Sequence, residues 1–280
     1  MKPSIQIVVP VFERHEPIRA LLRQLGEQTL KPARVVIVDH GKDDLAIDYV
    51  SSFDVDIIKR PPSMWFTEAT NEGIEYALQR KSDFLMILND DVVLSAQSWL
   101  AELTNTADKE NAIVASTAIS QDGLVFYRGV VLRRFAFRYH AIGRGKKFEN
   151  TLDEIVECDV LPTRGIIFRP YLVEKIGLLD VELPHHGSDY EWTARAKRAG
   201  IRLLISNRIY LFTSCDSVTR SRGSFQQEFK RYWNERFFKG GYAIASTYSR
   251  KVFTPTYRFF FLSVHVLRFI ARYAANRLTA

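Results

Sequence analysis

Short apolar runs alternate with amphipathic stretches through the first third of the chain. Residues 5–9 read as a β-strand, and Pro17 then stands at a first helical position, where its fixed φ suits the turn and its missing N–H is not needed. Ile18, Leu21, Leu22 and Leu25 follow at helical spacing. Residues 35–38 form a second buried strand ending at Asp39, which closes a βαβ unit. Residues 55–58 predict a third strand, residues 69–80 a helix with Ile74, Ala77 and Leu78 on one face, and residues 84–88 a fourth strand. This alternation predicts an α/β fold with a mostly parallel sheet and right-handed crossovers. Ligands of such sheets gather beyond the carboxyl ends of the strands, so residues 10–13, 39–41 and 89–91 are expected to converge there.

The pattern loosens after residues 113–116. Residues 124–132 and 166–168 read as strands and residues 189–199 as a helix. From Phe225 the apolar residues Phe225, Phe229, Tyr232, Trp233 and Phe237 return at helical spacing, interrupted by Arg236. Residues 256–278 then place Arg258, His265, Arg268, Arg272 and Asn276 in one sector and Phe259, Phe260, Leu262, Val266, Phe269 and Ile270 around the rest. A stretch of roughly 23 residues is long enough for a bilayer, but Arg268 and Arg272 at its centre are costly in hydrocarbon. An interfacial helix is therefore expected, and a helix packed on the rest of the chain or on a second copy of it accounts for the same pattern. The expected division is a body over residues 1–222 and a basic, amphipathic helical tail over residues 223–280.

Charge sharpens that division. The chain of 280 residues carries +7, yet residues 220–280 alone hold twelve Lys and Arg against two Glu, which is +10. Basicity therefore belongs to the tail, which argues against a body built to coat nucleic acid and for a tail that meets an anionic membrane surface. With 46% hydrophobic residues the chain has ample material for a core. Cys158 and Cys215 show no paired metal spacing, and Met1, Lys2 and Pro3 lead straight into the first strand, so a reducing cytoplasm is expected.

Candidate chemistry starts with Asn89, Asp90 and Asp91, which directly follow an apolar run. Acidic oxygens at the end of a buried strand can hold a divalent cation against a phosphate-bearing ligand. A turn or helix cap accounts equally well for these residue types.

Separated segments together resemble an inverting glycosyltransferase of family 2 with the GT-A fold, most like bacterial rhamnosyltransferase-type members. They are Ile7 to Phe12, Val36 to Gly41, Trp65 to Ile74, Asn89 to Asp91, and Gly177 to Asp180 with Gly187 to Gly200. The resemblance covers about residues 4–215. It implies a nucleotide-diphospho-sugar transferase fold, Rossmann-like, with a helical appendage after it. Asp91 would be the ligand of Mg²⁺ or Mn²⁺, with Asn89 and Asp90 near the ribose and diphosphate. Pro10, Val11, Glu13 and Asp39 would bind base and ribose, Asn71 would join the donor site, and Arg164 would meet the diphosphate. Asp189 takes the position of the general base that deprotonates the acceptor hydroxyl. Trp65, His185, His186, Glu191 and Trp192 are candidates for the acceptor site. Two positions depart from the family pattern: His40 replaces the usual Asp or Asn, and Ser188 breaks the acidic pair before Asp189.

The implied activity is transfer of a hexosyl or deoxyhexosyl group from a nucleotide diphosphate sugar to a saccharide or lipid-linked saccharide, in bacterial cell-surface polysaccharide synthesis. The implied place is the cytoplasm, peripheral at the inner face of the cell membrane, with a homo-oligomer left open. A nucleotidyltransferase is the alternative enzyme, but Val11, Phe12, Glu13 and Arg14 do not form its Gly-rich phosphate loop. A catalytically inactive saccharide-binding or scaffold subunit has Ser188 as its only support.

Overall fold

A computed structural model describes residues 2–13, 15–43, 45, 52–149, 155–213, 224–235 and 241–278, with side chains to residue 275. The chain opens with β1 (Ile5–Val11), α1 (His15–Gly26), β2 (Arg34–Asp39), β3 (Asp54–Lys59), α2 (Phe66–Leu78) and β4 (Phe84–Ile87). It continues through β5 (Val92–Leu94), α3 (Trp99–Glu110), β6 (Ile113–Ile119), β7 (Val125–Tyr127) and β8 (Val130–Arg133). A 3-10 turn at Arg134–Ala136 joins β8 to β9 (Arg138–Ala141). Then come β10 (Ile155–Glu157), β11 (Ile166–Phe168), α4 (Tyr171–Ile176), α5 (Ser188–Arg198) and β12 (Leu203–Thr213). Three helices close the chain: α6 (Phe225–Asn234), α7 (Tyr242–Val252) and α8 (Pro255–Leu278).

The central sheet runs β10-β12-β6-β11-β4-β1-β2-β3, with β5 beside β12 and β7 beside β6. Its half formed by β4, β1, β2 and β3 is parallel, as the alternation predicted. All seven residues of β1 are buried because helices cover both faces, so the strand reads as one continuous apolar run rather than an alternation. Between β4 and β6 the short β11 inserts antiparallel to both. The sheet thereby turns from the first half, where the strands end near one another, to the second half built on β6 and β12.

Several expectations need correction. The strand expected over residues 124–132 splits into β7 in the main sheet and β8 in a separate hairpin with β9. The eleven-residue β12 was not foreseen, since Asn207 and Arg208 interrupt its apolar run where the pairing with β6 shifts register. α7 was not foreseen either, and it packs on the body: Ala245 and Tyr248 share an apolar cluster with Leu183 of the body and Phe261 of α8. Lys251 at its end pairs with Asp180 (2.5 Å) and with Glu182.

The orientation of α8 is also not the one its composition suggested. Part of its polar sector faces inward, where Arg258 donates to the Ser246 hydroxyl (3.2 Å) and His265 stacks on Tyr232. Phe269, expected at a membrane interface, stacks instead on Tyr232 with ring centroids 4.0 Å apart. Phe259, Phe260, Leu267 and Ile270 are exposed. No described helix is long and apolar enough to cross a membrane. Cys215, Arg236, Phe237 and the side chain of Asn276 lie outside the described residues.

Candidate active site

The strand ends β1, β2 and β4 bring Pro10, Phe12, His40, Asn89, Asp90 and Asp91 to one wall of a cavity of about 750 Å³. Asp90 and Asp91 also border a second, neighbouring cavity of about 1110 Å³, where Glu13 lies. The buried Oδ1 of Asn89 has no hydrogen-bond partner among the described residues. Carboxylate and amide oxygens at a strand end form a hard donor set, and such a set fits a divalent cation whose shell is completed by diphosphate and water. His40 shares this wall, with its ring 5.2 Å from that of Phe12, and burial holds its imidazole below the usual range. It is therefore neutral at pH 7.

The opposite wall comes from three segments. From β7, Phe126 and Tyr127 project beside Arg164, whose guanidinium lies 5.2 Å from the centre of the Phe126 ring and donates to the Thr213 hydroxyl. Arg144 approaches the same ring at 5.0 Å. Gly165 holds this turn against β4 through its N–H to the Ile87 carbonyl (3.0 Å). Its φ is +79°, and a Cβ there would stand 3.1 Å from the Trp99 ring, so a side chain would displace Arg164 with it.

Asp189 lies in the first turn of α5 and lines the cavity. Its Oδ1 accepts from the Tyr190 N–H (2.8 Å). Burial pushes the carboxyl above the usual carboxylate range, while that N–H and the charge of Arg164 pull the other way. A carboxylate so raised is a better proton acceptor.

The approach to Asp189 is held by α2. The Asn71 amide donates to the Leu179 carbonyl (2.8 Å) and accepts from the Leu179 N–H (2.9 Å). One turn earlier, the Thr67 hydroxyl donates to the Leu183 carbonyl (2.6 Å) and lies 2.9 Å from the Ser188 hydroxyl, while the Thr67 N–H donates to the Pro184 carbonyl (3.0 Å). Ser188 therefore has a structural partner where the family pattern has an acid, and Asp189 still reaches the cavity. Beside it, Trp65 is exposed at the rim with His185 at 5.9 Å, and His186 stands 4.3 Å from His185.

Of the residues expected from sequence, Pro10, Trp65, Asn89, Asp90, Asp91, Arg164, His185, His186 and Asp189 meet in the cavity. Six do not. Glu13 faces the neighbouring cavity, and Val11 is buried in β1. Asp39 has no exposed surface and accepts from Gly41 N–H (3.0 Å), Leu45 N–H (3.3 Å) and Lys59 (3.0 Å), which folds its own turn. Asn71 is committed to Leu179. Glu191 is buried against Arg195 (2.7 Å), which in turn donates to the Ile176 and Leu178 carbonyls. Trp192 is wholly buried on Phe168 and donates to the Gly177 carbonyl (2.8 Å), so it is core and not an acceptor platform. Phe12, Tyr127, Arg144 and Tyr190 line the cavity without having been singled out; Phe12 alone had a signal, its place after the first strand.

Residues 6–166 match the profile of Glycosyl transferase family 2. The chain belongs to that family. An uncharacterised glycosyltransferase of Haemophilus influenzae is 33% identical over 88 residues, 31% of this chain and 29% of that protein. The O-antigen biosynthesis protein RfbC of Myxococcus xanthus is 25% identical over 221 residues, 72% of this chain and 16% of that protein. The chain thus spans less than a third of the length of either relative. The solved mannosyltransferase PcManGT of Pyrobaculum calidifontis, in complex with GDP-Man and Mn²⁺, shares the fold at a TM-score of 0.58 and 15% identity, over 94% of this chain and 69% of that one. This family-2 glycosyltransferase therefore has the GT-A architecture, with α7 of its helical appendage packed against α5.

The α2 anchor makes a specific demand on the enzyme. Thr67→Val leaves the Leu183 carbonyl without its donor, which costs roughly 1–3 kcal/mol. Urea melts should show that loss, and turnover well below the melting temperature should fall several-fold as the segment carrying Asp189 loosens. Unchanged turnover with lowered stability would confine Thr67 to folding.

Proposed function

We propose that the enzyme transfers a sugar with inversion from a nucleotide diphosphate donor to a saccharide or lipid-linked saccharide acceptor in the assembly of a cell-surface polysaccharide. The observation that carries this reading is the single cavity in which the Asp189 carboxylate faces the strand ends bearing Asp90 and Asp91. The name of the Myxococcus relative supports a polysaccharide product.

In this scheme an acceptor hydroxyl, held beside Asp189, attacks the anomeric carbon in line. The new C–O bond forms as the bond from that carbon to the diphosphate breaks, and the hydroxyl proton passes to Asp189. Phe12 and His40 offer the base a flat, neutral slot, and the guanidinium of Arg164 compensates charge on the diphosphate. Asp91, with Asp90 and Asn89, would hold Mg²⁺ or Mn²⁺. When bound, the cation neutralises the developing charge of the leaving group. Trp65, His185 and His186 at the rim suit the faces and hydroxyls of a sugar acceptor.

A peripheral membrane position is part of the same reading. Phe135, at the tip of the β8–β9 hairpin, is fully exposed directly after Arg133 and Arg134, and the exposed Phe259, Phe260, Leu267 and Ile270 lie on the neighbouring α8. The two elements are joined, with Phe137 stacked on Phe260 at 5.0 Å and the Tyr257 hydroxyl donating to the Arg134 carbonyl (3.1 Å). Exposed aromatic rings among arginines suit an anionic bilayer surface.

Asp189→Asn should lower turnover by about a hundredfold or more and leave donor affinity within a few fold. A folded-state pKa raised above the unfolded one means that ionised Asp189 works against the fold above that pKa, so the Asn variant should melt at or above the wild-type temperature at pH 7. Arg164→Gln should move the acidic limb of the turnover profile to higher pH, because the charge that favours the carboxylate is gone. Near-normal turnover of Asp189→Asn would remove it as the base.

Asp91→Ala should weaken Mn²⁺-dependent donor binding in calorimetry, and equal affinities at saturating Mn²⁺ would remove it from the cation site. For the membrane surface, full-length protein should sediment with phosphatidylglycerol vesicles at low salt, and Phe135→Ser with Phe259→Ser should release it without changing the melt. Protein left in the supernatant at low salt would contradict this surface.

A further inference from the structure

A third cavity, of about 250 Å³, lies between the β8–β9 hairpin, α7 and α8. Its walls are largely apolar, formed by Phe137, Tyr248, Phe261 and Val264, yet Arg138 and Arg268 also border it. Among the described residues neither arginine has a carboxylate partner. The space is not separate from the catalytic cavity, because Gly187, Tyr190 and Ile244 line both. Tyr190 is the residue next to Asp189 in α5.

An apolar slot with two unneutralised guanidiniums at its border fits an amphiphile that carries one compact anion. A purely apolar ligand would leave two like charges facing each other, and a free anion would leave the rings unfilled. Burial and the nearby charges of Arg272 and Arg138 already hold the Arg268 guanidinium below its ordinary pKa, so an anion there would relieve a repulsion. The slot also adjoins the exposed surface of α8. Phe137, one of its walls, stacks on the exposed Phe260 of α8.

We infer that this cavity binds the phosphate and the first part of the hydrocarbon chain of a single-chain lipid phosphate, the carrier on which the acceptor sugar is presented to Asp189. The phosphate sits on Arg138 and Arg268, the chain runs over Phe137 and Phe261, and the attached sugar passes Tyr190 into the catalytic cavity. This assignment rests on the transferase reading above and narrows its acceptor to a lipid-linked one.

The test is calorimetric binding of farnesyl phosphate to the full chain in EDTA, where no turnover occurs, with farnesol and inorganic phosphate as the two halves of the probe. Farnesyl phosphate should bind at least tenfold tighter than either half, and Arg268→Gln and Val264→Trp should each weaken it tenfold or more. Asp189→Asn should bind it as wild type does. No binding of farnesyl phosphate, or binding unchanged in both cavity variants, overturns the site. Displacement of the probe by phosphatidylglycerol vesicles at equal lipid concentration overturns the carrier assignment in favour of bulk phospholipid. If instead Asp189→Asn keeps full turnover, the general-base reading fails while the lipid site stands on its own binding data.

Discussion

The geometry of the cavity that Asp189 lines depends on two side chains one turn apart on α2. Thr67 and Asn71 give their polar atoms to the segment between Leu179 and Ser188, and that segment delivers Asp189. Each bond adds little net stability, but breaking one strands a buried partner, so together they define a single position for the loop. The helix can serve as an anchor because it is itself pressed on the sheet: a Cβ at Gly73 would stand 2.3 Å from a Val8 methyl of β1. Sheet, helix and loop therefore form one chain of contact from β1 to the Asp189 carboxylate. Ser188 belongs to that chain, which explains how the segment keeps its place without the second acid of the family pattern.

Burial then sets the charge state of the cavity. It raises the Asp189 carboxyl and lowers the His40 imidazole, so both are biased toward their neutral forms. Arg164 and Arg144 flank one aromatic ring at the cavity, and the Arg164 charge also acts on the Asp189 carboxyl. Such a site is prepared for ligands that bring their own charge. The proposed diphosphate donor and phosphate-linked acceptor would do so, and α7 packs against α5, the helix that carries Asp189.

The first half of the fold was legible because β1, β2 and β4 are buried on both faces and α1 carries a clean apolar stripe, so the hydrophobic pattern alone sets element type and order. The second half was not, since β12 carries Asn207 and Arg208 in mid-strand and β7 and β8 are too short to separate by periodicity. Asp90, Asp91, Asp189 and Arg164, singled out from their places in the motifs, do line one cavity. Asp39 and Asn71 occupy motif positions equally well, yet their side chains fold the local turn and the α5 approach. A motif gives the position of a side chain on the backbone, and only packing decides which way its polar atoms face. Trp192 and Glu191 illustrate the same limit on one helix, because within four residues of α5 Asp189 and Tyr190 line the cavity while Glu191 and Trp192 are buried. The inward polar sector of α8 was illegible for a related reason: its partners, Ser246 and Tyr232, lie on helices whose placement no local pattern reveals.

The central claim is a single displacement at the anomeric carbon with Asp189 as base. It is tested most directly by the stereochemistry of the product. Incubation with a panel of nucleotide diphosphate sugars and lipid-linked or free saccharide acceptors, followed by NMR of the newly formed linkage, reads the anomeric configuration from the coupling across the first two sugar carbons. The account predicts a configuration opposite to that of the donor. Retention would contradict it, because a single in-line attack assisted by one carboxylate cannot preserve the configuration.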